Sequence, residues 1–230
     1  MQRLFDAAWP GRIPGCPLVK GHIRHPKEEL DEALSLISHS DGTDDLAHRL
    51  RTEHPTNRGH KEEWDLRVQD VFAEALGLAW ATREFGLARI CFDEGRPDIR
   101  AANGAWIEVK NLHLSDDYKE GVKAGLEQSP GVYVSEPQFL KKKADARMVH
   151  KLESFRRDCA KKFNRLPNDQ ESRLILLLRT GQFDFDATDE ANWTAIKTWA
   201  SSPEALEHRV EIVVIDRWEW RTPVIHTGFG

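Results

Sequence analysis

The chain changes its hydrophobic period several times after residue 59, and this alternation limits the fold more than any other feature. Leu140, Ala144, Met148, Leu152, Phe155, Cys159 and Phe163 recur every three or four residues, the stripe of a long amphipathic helix. A continuous apolar strand follows at Ser172 to Thr180. A helical pattern then spans Glu190 to Glu207, with Trp193, Ile196 and Trp199, before a closing strand at Val210 to Trp220. Upstream, Trp64, Val68, Val71, Ala75 and Leu78 have helical spacing, with Asn57 or Thr56 available as N-cap and Gly77 as the expected end. Short apolar stretches at Leu78 to Phe85 and Leu87 to Phe92 come next. Asp93-Glu94-Gly95-Arg96-Pro97 has turn chemistry, Asn103-Gly104 is a hairpin signal, and Ala105 to Lys110 is the strand leaving that hairpin. Helix, strands, helix, strand, helix, strand is the order of an α/β fold, a mixed central β-sheet flanked by helices.

With 230 residues, the chain suits one domain with a small appendage. Residues 1–58 are punctuated by Pro10, Pro14, Pro17 and Pro26 and carry helix-like patterns at Lys27 to Ser38 and Asp44 to Arg51. They are expected to form a helical N-terminal arm or cap on a domain spanning 59–230. No apolar run approaches the ~18 residues of a membrane span, so no membrane partner and a cytoplasmic location are expected. Cys16, Cys91 and Cys159 are few, odd in number and widely separated, which suits neither a disulfide framework nor a zinc knuckle.

The formal net charge is -5, so bulk charge does not point to nucleic acid, but its distribution does. Between Pro137 and Arg165 ten Lys or Arg stand against three acids, a local excess of +7 that leaves -12 elsewhere. A basic stretch on an acidic protein says where a polyanion would lie. Lys141, Lys142, Lys143, Arg147 and Lys151 are the expected phosphate contacts.

The chemistry is concentrated in Pro97-Asp98-Ile99 and, nine residues on from Ile99, Glu108-Val109-Lys110. On a strand, Glu108 and Lys110 leave the same face while Ile107 and Val109 leave the other. Closing the Asn103-Gly104 turn brings the Asp98 carboxylate beside Glu108. Two facing carboxylates suit Mg²⁺ or Mn²⁺, which prefer oxygen ligands and keep several waters. A neighbouring lysine can orient or deprotonate one such water, or neutralise charge growing on a phosphate. The competing reading is a surface hairpin whose ion pair adds little stability, with the basic helix as a solvated face.

These residues resemble the PD-(D/E)XK, or restriction-endonuclease-like, nucleases: Pro97-Asp98, then Glu108-X-Lys110, behind an acidic helix and ahead of alternating helix and strand. The resemblance implies a restriction-endonuclease-like core and metal-dependent hydrolysis of phosphodiesters. It further implies Asp98, Glu108 and the Val109 carbonyl as metal ligands, with Lys110 near the attacking water. The family often places another acid on the first helix, and Asp65, which shares a face with Val68, Phe72 and Leu76, is preferred over Glu62, Glu63 or Asp70. The expected activity is that of a Mg²⁺-dependent DNA endonuclease in restriction, defence or repair, acting on duplex DNA and possible as a homodimer. The alternatives are a non-catalytic nucleic-acid-binding or assembly subunit that keeps the fold, or a nuclease of RNA.

Overall fold

The computed structural model describes residues 33–37, 42–53, 61–112, 144–166, 173–179, 190–201 and 210–215, with the backbone alone for 61–69, 144–147 and 191–192. Helices α1 (Gly42–Glu53) and α2 (Lys61–Phe85) precede strands β1 (Ala88–Ile90), β2 (Ile99–Ala101) and β3 (Trp106–Asn111). Helix α3 (Ala144–Phe163), strand β4 (Leu174–Arg179), helix α4 (Glu190–Ala200) and strand β5 (Val210–Ile215) complete the order. The five strands form one mixed sheet in sequential order, antiparallel from β1 to β3 and parallel from β3 to β5. Parallel neighbours need long connections, and α3 and α4 lie in the two that join β3 to β4 and β4 to β5.

The period of two along β4 divides the core between two layers. Ile175 and Leu177 join Ile107, Val109, α1 and α2 on one face. Leu176 and Leu178 join Trp106, Ile212, Val214, α3 and α4 on the other. A strand buried on both faces reads as an unbroken apolar run, which is why Leu174 to Leu178 shows no alternation. The part of residues 1–58 that is described belongs to this core, since Ala33, Ile37, Leu46 and Leu50 are fully or almost fully buried in the α2 layer.

The helical stripe from Met148 to Phe163 faces the sheet as expected, and the Asn103-Gly104 turn closes the β2–β3 hairpin through a Gly104 N–H to Ala101 carbonyl bond of 3.0 Å. The expected end of the first helix at Gly77 is corrected: α2 runs on to Phe85 and absorbs Leu78 to Phe85, which form no strand. Gly77 is there for packing. A Cβ at this position would lie 2.8 Å from Val109 Cγ2 and 3.3 Å from Ile99 Cδ1, so the missing side chain is what lets α2 lie against β3. The helix ends instead at Gly86, whose φ of 83° is the left-handed conformation of a helix C-cap. The closing strand is described over Val210–Ile215 and the last helix over Glu190–Ala200; Trp218 and Trp220 lie outside the described residues. Among the described residues no helix is long and apolar enough to cross a membrane.

Candidate active site

The site exists because β2 is short. The β2–β3 register pairs Ile99 with Ile107, so by extension Asp98 stands opposite Glu108 and Pro97 opposite Val109. Proline has no N–H and cannot continue the ladder. The Val109 N–H is satisfied by a side chain instead, donating to Asp98 Oδ2 at 2.8 Å. The N–H and carbonyl of one strand residue point to the same side, so the Val109 carbonyl also faces this gap, and Pro97 offers it no donor. At this interrupted edge a cleft of about 340 Å³ opens, lined from the α2 layer by Arg49, Asp70 and Glu74 and from α3 by Lys151, Phe155 and Lys162. Asp98, Val109, Lys110 and Asn111 line it from the sheet.

Glu108 and Lys110 leave the α3 face of β3, where the alternation puts them between Trp106 and the apolar side chains of that layer. Glu108 is fully buried and Asp98 is 8% exposed. Lys110 Nζ lies 2.8 Å from Glu108 Oε1. Lys162 reaches over from the last turn of α3, its Nζ 3.1 Å from Asp98 Oδ1 and 2.7 Å from the Glu108 carboxylate. The ammonium of Lys162 thus bridges the two acids.

Burial pushes the Glu108 carboxyl up to about 6 and the Asp98 charge adds to this, while Lys110 and Lys162 hold it back. For Lys110 burial works against the charge, but the Glu108 and Asp98 carboxylates outweigh it and keep the amine protonated well above the ordinary lysine range.

Three side chains join the site that the motif alone did not indicate. Glu74 on α2 is buried, and Arg49 Nη2 from α1 donates to its Oε1 at 3.1 Å. Burial, followed by the Asp98 charge, pushes Glu74 up to about 7 despite Arg49. The signal for Glu74 was present in sequence as a lone acid inside the apolar run Val71 to Trp80. Lys162 had a comparable one, since it falls beside Cys159 and Phe163 on the edge of the buried stripe. Arg49, contributed by the N-terminal segment, had none.

The expected residues fare differently. Asp98, Glu108, Val109 and Lys110 converge. Asp65 lies on α2 with its side chain outside the described residues; the acid of that helix whose charge couples to Asp98 is Glu74, nine residues further on. Lys151 lines the cleft and lies 5.7 Å from the Phe155 ring centroid. Arg147 is on α3 with its side chain outside the described residues, and Lys141, Lys142 and Lys143 lie outside them altogether. The described basic residues of α3 do not form one solvated face. Arg156 pairs with Glu153 at 2.9 Å and Lys161 with Asp158 at 3.2 Å, whereas Lys151 and Lys162 turn to the cleft.

Among the described residues no group of three or more His, Cys, Asp or Glu is arranged to hold a metal ion. Comparison with protein families, with characterised proteins and with solved structures finds no match to this chain.

Proposed function

We propose that the protein is a Mg²⁺- or Mn²⁺-dependent endonuclease of restriction-endonuclease-like fold that hydrolyses phosphodiester bonds in duplex DNA. The observation that carries this reading is the pair Asp98 and Glu108, held against one another at an interrupted strand edge and already bridged by a cation, the ammonium of Lys162. Two hard carboxylates and a carbonyl free of a β2 donor fit a divalent ion of this kind. Asp98, Glu108 and the Val109 carbonyl would hold it. Bound there, such an ion polarises a phosphate oxygen and lowers the pKa of a water.

The chain's own residues supply the rest. Lys110, beside Glu108 in the cleft, is placed to offset the charge that grows on the phosphate in the transition state. Lys151 puts a cation on the cleft wall where a phosphate can meet it, while Arg49 and Lys162 on the same wall are engaged by Glu74 and by the Asp98–Glu108 pair. Asp98 ties the Val109 backbone to the loop before β2, so that strand and loop present their oxygens together.

A second reading draws on the same bridge: a nucleic-acid-binding subunit whose acids are neutralised by Lys162 and Lys110 needs no metal. Supercoiled plasmid with Mg²⁺ separates the two. Nicking by the wild-type protein, abolished by EDTA and by Glu108→Ala, supports the nuclease; DNA binding without nicking in Mg²⁺ or Mn²⁺ supports the subunit. Competition by RNA, with RNA cleaved faster than DNA, would redirect the assignment to a ribonuclease.

A further inference from the structure

We propose that Lys162 is the resident cation of the Asp98–Glu108 pair: its ammonium holds the carboxylates together in the metal-free protein and gives up that seat to a divalent ion. The proposal rests on reading Asp98 and Glu108 as a cation site and adds a named competitor for it.

Lys162 comes from a different layer, 64 and 54 residues from its two partners, and its Nζ is within hydrogen-bonding distance of both. Glu108 has no exposed surface over which water could spread its charge, so a cation must. Lys110 alone would leave one negative charge over in the quartet Asp98, Glu108, Lys110 and Lys162; with both lysines the four sum to zero. A divalent ion added beside both would leave two positive charges in a largely buried place, which is costly. One ammonium has to move. Lys110 is anchored on β3 within the sheet and its head lies 2.8 Å from Glu108. Lys162, about as exposed as Lys110 (25% against 22%) and lining the same cleft, differs in standing between both carboxylates, where the divalent ion would sit, and in coming from the last turn of α3. Swung out, its head would still lie where a phosphate passes.

Mn²⁺ binding to the metal-free 230-residue chain, followed by the loss of the free Mn²⁺ paramagnetic resonance signal, tests this without reference to cleavage. Lys162→Gln removes the competitor and should bind Mn²⁺ at least about tenfold tighter than wild type, one decade being ~1.4 kcal/mol. Lys162→Arg keeps a cation there and should stay within about threefold of wild type. Glu108→Gln, which removes half of the seat, should bind weakly in every background. Equal or weaker Mn²⁺ binding by Lys162→Gln, with measurable binding by wild type, would overturn the role of Lys162 and leave the cation site standing. No Mn²⁺ binding by wild type or Lys162→Gln would overturn the cation site itself. A second measurement needs no variant: amine-reactive ester labelling of the wild-type protein, read by mass spectrometry, should rise at Lys162 on adding Mn²⁺ and stay low at Lys110. Labelling at Lys162 that is unchanged or lower with Mn²⁺ bound would equally refute the exchange.

Discussion

Replacing Glu74 by glutamine should make the metal-free protein's stability less sensitive to pH, in a direction the site dictates. Glu74 is an acid whose ordinary value of 4.5 is pushed up to about 7 by burial first and the Asp98 charge second, with Arg49 only partly compensating. The folded state therefore binds this proton more tightly than the unfolded chain does. Stability contributed by the neutral carboxyl is fully present below the unfolded value and is lost as pH rises through the folded one. About two and a half pKa units correspond to an upper limit on the order of 3 kcal/mol, lost between roughly pH 4.5 and 7.5. Glutamine has the same shape, can still accept a bond from Arg49, and carries no charge at any pH. The difference in unfolding free energy, Glu74→Gln minus wild type, should thus climb by about 2–3 kcal/mol from pH 5 to pH 8. Urea titrations in EDTA and low salt at four pH values would measure it. A flat difference would mean that Glu74 is effectively solvated. A difference of opposite slope would mean that Arg49 wins over burial and that Glu74 is a stabilising ionised partner.

Other consequences follow from particular contacts. Gly77→Ala gains about 1 kcal/mol of helix propensity but puts a methyl 2.8 Å from Val109 Cγ2, so the overpacking cost of about 1–3 kcal/mol should prevail, lowering the melting temperature and any Mg²⁺-dependent nicking together. Asp98→Asn keeps an acceptor for the Val109 N–H and should abolish nicking with little loss of stability. Asp98→Ala strands that buried N–H and should cost about 1–3 kcal/mol in urea unfolding; equal stability of the two variants would refute the role given to this bond. Lys151→Ala should reduce the slope of log affinity for duplex DNA against log salt by about 0.9, the share of one phosphate contact, and an unchanged slope in a binding titration would remove Lys151 from the interface.

The elements were largely readable from one dimension. The stripe through Met148, Leu152, Phe155 and Cys159, the unbroken Leu174 to Leu178 and the Asn103-Gly104 turn are local patterns, and local sterics and burial produce α3, β4 and the hairpin from them. The Glu108 and Lys110 pairing is local too, because a period of two places them on one face wherever the strand lies. Gly77 shows the limit of such reading. A glycine after an apolar helical pattern looks like a stop signal, and only the approach of Val109 from the sheet reveals that a helix passes through it.

What tertiary structure alone decided is which distant charges share the cleft. Periodicity assigns Glu74 and Lys162 to helix faces, but the meeting of Lys162 with Asp98 and Glu108, or of Arg49 with Glu74, depends on how α1, α2 and α3 are laid across the sheet. Those placements follow from packing summed over many apolar contacts, to which the charged residues contribute little. The motif Pro97-Asp98 and Glu108-X-Lys110 thus determined where chemistry could occur. The electrostatic character of the site, a buried carboxylate pair bridged by a lysine from the helix packed on that face of the sheet, was set by the fold around it.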